Sequence, residues 1–156
     1  MNAHVRDNLS FLYTPPMVRV YNSATITGIV TVTGTLLTYD SERFDTDTCH
    51  STSSNTGRIT ATTAGKYLLG SQVTWEASSA GTYRDVYLQL GGATILVLNS
   101  QTPSGGNTVR QQAVTLYALA ATNYVETWVG HDKGSNSSIT AAGNYTPEFW
   151  AMWQSG

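Results

Sequence analysis

From Met17 to the C-terminus, the sequence consists of short segments rich in β-branched and aromatic residues, separated by turn residues. The turns include Gly91-Gly92 and the segments 103–107 (PSGGN) and 132–137 (DKGSNS). This spacing is typical of antiparallel strands joined by short loops. The composition agrees, because the chain has 24 Thr and 15 Ser but only two residues of the helix former Lys. The sequence therefore predicts an all-β domain.

Several of the predicted strands are apolar on both faces. In the last strand, Phe149 and Ala151 alternate with Trp150 and Met152, so neither face is polar. An antiparallel sandwich needs only one apolar face per strand, because the other face normally meets water. A second apolar face predicts a second buried surface, which in a domain without covering helices is most simply a subunit contact. The doubly apolar segments are 93–99, 108–120 and 147–153.

Charge and cysteine content exclude several classes of protein. The formal net charge is −2 and the pI is about 5.8, which provides no basic field for a nucleic acid backbone. No apolar run reaches the roughly 18 residues of a membrane span, and the N-terminus has no apolar core of a signal peptide. The single cysteine, Cys49, cannot form an intrachain disulfide. We expect neither nucleic acid binding nor membrane insertion.

Residues 1–16 differ from the rest and are predicted to form an N-terminal arm or stalk end, followed by one domain over 17–156. Val5, Leu9 and Leu12 have the spacing of one face of a short helix, which the following two prolines end. A helix this short is marginal alone and must dock on something. Two alternatives are open: the arm lies on its own domain, or it packs against other subunits.

Short motifs along the domain resemble the signature of the complement C1q globular-head family, part of the TNF-like jelly rolls. That signature runs from a Phe, through a variable loop, to a Thr-Gly-Arg strand start and then a Gly-x-Tyr strand. Three further segments resemble strands of the same family: its opening strand at 18–26 (VRVYNSATI), a late strand at 124–130 (YVETWVG) and its closing aromatic strand at 147–153 (PEFWAMW). The residues that hold the signature are Phe44, Thr56-Gly57-Arg58 and Gly65-Lys66-Tyr67.

The resemblance implies a ten-stranded antiparallel jelly-roll sandwich that assembles as a compact homotrimer. This agrees with the doubly apolar strands, which independently predict a subunit contact. Part of one set of apolar side chains is expected near the threefold axis. That set is Tyr117, Leu119, Phe149 and Trp153.

Within this family, the segments 2–24 and 39–52 resemble the form of the domain found in bacteriophage virion proteins. The collagen-like stalk of secreted animal members is absent. The expected function is therefore a non-enzymatic structural or display module on a virion surface, as a capsid decoration or fibre protein in contact with other virion proteins. The alternative is a receptor- or carbohydrate-binding head of a fibre or secreted adhesin. Fold analogy alone does not decide between them.

The densest charge in the chain lies between residues 40 and 47, where Asp40, Asp45 and Asp47 are candidate calcium ligands. Hard cations take six to eight oxygen ligands, and several carboxylates in one loop can supply them. Arg43 lies within the cluster and can neutralise it, and no fixed ligand register is present. A solvated or ion-paired loop is therefore the competing interpretation, and no cofactor is otherwise expected.

Exposed aromatic residues are the remaining candidates for binding, because sugars stack on Trp and Tyr rings. The competing interpretation places these aromatics in the core or in a subunit contact. Catalysis by Cys49 and His50 is not expected, because neighbouring side chains in an extended segment point to opposite faces. The candidate ligand-binding residues are Trp75, Tyr83, Trp128 and Tyr145.

Overall fold

A computed structural model of the chain describes residue 11, residues 13–143 and residues 146–156. These residues form twelve β-strands in two antiparallel sheets. In chain order the strands are β1 Met17–Tyr21, β2 Ile26–Ile29, β3 Thr35–Leu36, β4 Ser41–Asp45, β5 Arg58–Thr60, β6 Gly65–Trp75, β7 Arg84–Leu90, β8 Thr94–Gln101, β9 Val109–Leu119, β10 Tyr124–His131, β11 Ser137–Ile139 and β12 Glu148–Ser155.

The larger sheet has seven strands and is organised around β6. This strand pairs with β9 along its whole length and with β12, from which β1 and β4 continue to the edge. β11 pairs with the end of β6 at Trp75, and β2 pairs with β11. The smaller sheet has five strands and is organised around β10, which pairs with β7, β3 and β5, and β8 lies beyond β7.

Alternation along the strands sends one set of side chains into a single core between the sheets. On β10, Val125, Thr127 and Val129 are fully buried, whereas Glu126 and Trp128, which alternate with them, face outward. On β12, Phe149 is fully buried against the ring of Tyr39, with the ring centroids 5.7 Å apart. The two-residue alternation of side chains that predicted an all-β domain therefore also determines which side chains form the core.

The structure has twelve strands, two more than the ten that the resemblance implied. One of the twelve, β4, coincides with none of the segments predicted as strands and lies within the segment interpreted as an acidic loop. It was missed because its residues are mainly polar and it pairs only with β1 at the sheet edge, so it carries no apolar alternation. The predicted arm helix lies largely outside the described residues. No helix among them is long and apolar enough to span a membrane.

Candidate functional site: the two outer faces of the sandwich

The larger sheet has an apolar surface on the side that faces away from the core, here called the large-sheet face. Met152 lies opposite Met17 on one side and Leu68 on the other, and Leu68 lies opposite Leu116. Cross-strand partners share a face of the sheet, so these side chains form one row. Leu116 is 65 % exposed and Val114 in the same strand is 45 % exposed. The large-sheet face comprises Met17, Arg19, Phe44, Leu68, Gln72, Gln112, Val114, Leu116, Trp150 and Met152.

A buried carboxylate lies at one border of this face. The Glu148 side chain is fully buried and forms ion pairs with both Arg19 and Arg43, the Nε of Arg43 lying 2.6 Å from Oε1. Gln72 donates a hydrogen bond of 3.4 Å to the same carboxylate, and Gln112 donates one of 2.9 Å to Gln72. A buried charge needs such partners, because desolvation without them is costly. The network therefore ties β1, β4, β6, β9 and β12 together beneath the apolar row.

The residues predicted at the threefold axis lie on the opposite side of the larger sheet. Phe149 is fully buried and Leu119 is 3 % exposed, so both are core residues of the single chain and the prediction for them is wrong. Tyr117 and Trp153 both pair with the buried Tyr67 and share its side of the sheet. An all-apolar strand does not reveal which alternate set faces inward. Tyr117 is 38 % exposed, so for this member of the set the location near a threefold axis stays a prediction.

The three carboxylates predicted as calcium ligands do not converge on one point. Asp40 accepts hydrogen bonds of 2.9 and 2.5 Å from the backbone N–H and the hydroxyl of Ser23. Asp45 accepts hydrogen bonds from the backbone N–H groups of Asp47 and His50. Asp47 accepts a hydrogen bond from the hydroxyl of Thr62. Each carboxylate thus stabilises its own loop. Within the described ranges, no group of three or more His, Cys, Asp or Glu side chains could hold a metal ion.

Cys49 and His50 are also engaged separately. The thiol of Cys49 is 3 % exposed, and burial, together with the Asp45 carboxylate, raises its pKa to about 11. The ring of His50 lies 2.9 Å from Glu42 through Nδ1 and 3.2 Å from the carbonyl of Thr56 through Nε2. Both ring nitrogens are therefore occupied, and the thiol is held in its unreactive neutral form.

The smaller sheet presents a different outer surface, here called the small-sheet face and comprising Arg58, Tyr87, Tyr124, Glu126 and Trp128. Tyr87 and Trp128 are cross-strand partners whose ring centroids lie 6.5 Å apart with the planes 16° from parallel. The indole N–H of Trp128 donates a hydrogen bond of 3.1 Å to Glu126. Burial, and to a lesser extent the Asp85 carboxylate, raises the pKa of Tyr87. The surface combines half-buried rings with charged groups.

A groove of about 260 Å³ opens beside this ring pair, between the end of β3 and the start of β5. Leu36 forms one wall, whereas Arg58 and Glu126 line the other side. Gly57 permits the close approach of the two walls, because a Cβ there would lie 2.8 Å from the carbonyl oxygen of Leu37. The Thr-Gly-Arg motif therefore has a packing role: its glycine lets the chain enter β5 against β3.

The four aromatic residues predicted to bind a ligand have different positions. Trp75 is fully buried in the core, where its indole N–H donates to Gln111 at 2.8 Å, so that prediction is wrong. Trp128 lies on the small-sheet face, and Tyr83 is half-buried beside Gly130 of the adjacent strand β10. Tyr145 lies outside the described residues.

Sequence reasoning missed Arg58, Tyr87 and Glu126 as members of the small-sheet face. A signal was present, because Tyr124, Glu126 and Trp128 alternate with the buried Val125, Thr127 and Val129. The same alternation over residues 84–88 places Tyr87 on the outer side. Reading both strands with period two would have identified the face, but not the cross-strand register that brings Arg58 opposite Glu126.

The fold is that of a C1q/TNF-like jelly roll. The chain is similar to the globular domain of zebrafish complement 1qA protein, with a TM-score of 0.60, 13 % identity and coverage of 90 % of this chain and 99 % of that one. It is also similar to murine APRIL, with a TM-score of 0.68, 8 % identity and coverage of 89 % and 98 %. No protein-family model and no curated protein matches the chain. The expected resemblance is confirmed for the fold.

Proposed function

We propose that this protein is a non-enzymatic homotrimeric module that serves assembly and surface display. The observation that carries the proposal is the apolar row on the large-sheet face, formed by Met17, Met152, Leu68 and Leu116, on a chain whose core lies between the two sheets. Leu116 at 65 % exposure and Val114 at 45 % lie on its open side, next to the half-buried Trp150 and Met152. Contiguous apolar surface of this kind is characteristic of interfaces between protein chains.

The edge strand β8 supports a closed ring rather than a twofold dimer. Its residues Ile95 and Leu98 are 52 % and 47 % exposed, although they lie at the opposite edge of the sandwich from β4. A chain with two different exposed apolar surfaces can bury both at once when each copy sets its β8 edge against the large-sheet face of the next copy. Such a head-to-tail contact closes into a ring, and the C1q/TNF resemblance implies three members.

Light scattering tests this assembly. We expect wild-type protein at micromolar concentration to give three times the 16.8 kDa chain mass. Leu116→Glu places a charge in the apolar row and is expected to give the monomer mass. Val32→Glu is the matched control, because Val32 is 75 % exposed in the turn between β2 and β3. A monomeric wild-type protein, or a trimeric Leu116→Glu variant, would show that the large-sheet face does not assemble the protein.

We further propose that the module belongs to a bacteriophage virion, as a capsid decoration or fibre protein exposed on the particle surface. The support is the resemblance of the segments 2–24 and 39–52 to the virion form of the domain. Gold labelling of intact source particles in the electron microscope tests this: label on the particle is expected, and purified particles that lack the chain by mass spectrometry would contradict it.

The second candidate function is a receptor- or carbohydrate-binding head. The small-sheet face favours it, because half-buried rings beside charged groups are typical of ligand sites. This face lies on the other side of the sandwich from the large-sheet face, and it meets the β8 edge where Leu98 lies opposite Tyr87.

A further inference from the structure

We propose that the small-sheet face binds a neutral saccharide, which places two adjacent hydroxyl groups between the Arg58 guanidinium and the Glu126 carboxylate and one ring face on Trp128 and Tyr87. This inference rests on the second proposed function and names its ligand class and its residues. It does not depend on the assembly state.

The first observation is that Arg58 and Glu126 do not pair, although β5 and β10 place them directly opposite each other. Opposite charges at such positions normally form a cross-strand pair. Within the described part of the chain, the ion pairs involve other residues and neither of these two. Two opposite charges are thus neighbours on one surface while their hydrogen-bonding groups stay available.

The second observation is that an aromatic neighbour holds each charge in place. The guanidinium of Arg58 lies 4.7 Å from the ring centroid of Tyr124, in a cation–π contact. One oxygen of Glu126, Oε2, accepts the indole N–H of Trp128 at 3.1 Å. Stacking uses the flat face of a guanidinium, so its N–H groups remain free at its edge. The other oxygen of Glu126, Oε1, accepts no hydrogen bond from the described residues.

The charges select the class of ligand. An anion would meet the Glu126 carboxylate, and a cation would meet the Arg58 guanidinium, whereas a neutral group that both donates and accepts hydrogen bonds satisfies the two together. Two adjacent hydroxyls do this: one donates to Oε1 of Glu126 and the other accepts from Arg58. The C–H face of a sugar ring then stacks on the neighbouring aromatic pair of Trp128 and Tyr87.

The groove fits a ligand of this size. Its volume of about 260 Å³ is slightly below the roughly 300–1,000 Å³ of ordinary ligand pockets, which suits a ligand as small as a single sugar ring. The walls are held by backbone pairing of β3 and β5 to β10. The site is therefore formed before a ligand arrives.

The test is saturation-transfer NMR on the assembled wild-type protein, with the methyl glycosides of glucose, mannose and galactose as probes. Mannose and galactose each differ from glucose in the orientation of one hydroxyl, at C2 and at C4 respectively. We expect transfer to at least one of them, together with a shift of the Trp128 indole N–H resonance. Glu126→Gln and Arg58→Met are each expected to weaken binding about tenfold or more, as for the loss of a hydrogen bond to a charged group.

Glu76→Gln is the matched control, because the Glu76 carboxylate pairs with Lys133 and is not part of the small-sheet face. We expect this variant to bind the glycosides as strongly as the wild-type protein does. No transfer from any of the three glycosides would overturn the inference. Binding that survives both substitutions, or that leaves the Trp128 indole resonance unmoved, would also overturn it. Light scattering on the same samples reports the trimer separately, so the two proposals can fail independently.

Discussion

The indole ring of Trp150 lies over Gly70, its cross-strand partner on the larger sheet, in the space where a side chain would stand. A Cβ built on Gly70 would lie 2.2 Å from Cζ2 of the ring. The glycine therefore lets the largest side chain of the large-sheet face lie flat against the sheet. An upright indole would separate that face from any surface packed on it.

Gly70→Ala tests this relationship. We expect the methyl group to lift the Trp150 ring and to weaken assembly by about tenfold or more, while the sandwich stays folded, because interface packing tolerates little displacement at its centre. Gly130→Ala is the control, since a Cβ there meets its nearest atom at 3.9 Å, an ordinary contact. Concentration-dependent light scattering measures both variants. Equal dissociation of the two would show that the flat ring is not needed.

Glu148 supplies a prediction about stability. Glu148→Gln removes a fully buried charge that two arginines share, so Arg19 and Arg43 lose their common partner. Breaking a buried pair from one side costs about 3–5 kcal/mol, and we expect a loss of the free energy of unfolding near the lower value, because both arginines are partly exposed.

The control for this variant is Glu76→Gln, whose carboxylate is 33 % exposed and pairs with Lys133 at the surface. An exposed pair is worth about 1 kcal/mol or less. Urea unfolding at one fixed chain concentration compares the variants. A loss for Glu148→Gln no larger than for Glu76→Gln would contradict the structural role of the buried network.

Asp132 provides a pH-dependent prediction. Its carboxylate accepts hydrogen bonds from the hydroxyl of Thr82 at 2.6 Å and from the backbone N–H groups of Thr82 and Tyr83 at 2.7 and 3.0 Å. These bonds lower the pKa of Asp132 from 3.8 to about 2. The folded state thus favours the ionised form, so the bonds stabilise the loop fully above about pH 4 and are lost as the pH falls through about 2.

Hydrogen exchange measures this effect locally. The protection of the Thr82 and Tyr83 amides, corrected for intrinsic exchange rates, is expected to be lower at about pH 2 than at about pH 5. Asp132→Asn keeps an acceptor oxygen without the titration, so its protection is expected to be the same at both values. Unchanged wild-type protection between the two conditions would show that the carboxylate does not hold the loop.

The sequence predicts that side chains alternate between the two faces of each strand. In a strand that is apolar throughout, it does not predict which of the two sets of side chains faces the core. Phe149 and Trp150 are equally apolar, and only pairing with β6 decides between them: Phe149 lies opposite Ser71, and Trp150 lies opposite Gly70, which leaves room for the ring. Trp75 was similarly ambiguous, because its buried hydrogen bond to Gln111 depends on a strand 36 residues away.

The small-sheet face was more predictable, since polar and aromatic residues alternate there with Val. Glu126 and Trp128 follow from that pattern alone. The opposition of Arg58 and Glu126 does not, because β5 has only three residues and its register depends on the chain path from β4. Long-range register is thus what sequence periodicity leaves undetermined.

The start of the described chain carries the last prediction. The Phe11 ring meets Trp153 edge to face, with the ring centroids 4.8 Å apart, and the Trp153 indole N–H donates to the carbonyl of Ala64 at 3.2 Å. Phe11 thus packs on its own domain.

Such an aromatic contact is worth about 0.5–1.5 kcal/mol beyond its buried area. We therefore expect Phe11→Ala to lower the free energy of unfolding by about 1–2 kcal/mol and to shift the Trp153 fluorescence to the red. Tyr13→Ala is the control, because Tyr13 is 88 % exposed and its loss should change neither quantity. Urea unfolding followed by fluorescence measures both variants. A Phe11→Ala variant that unfolds like wild type would show that the contact between Phe11 and Trp153 does not stabilise the domain.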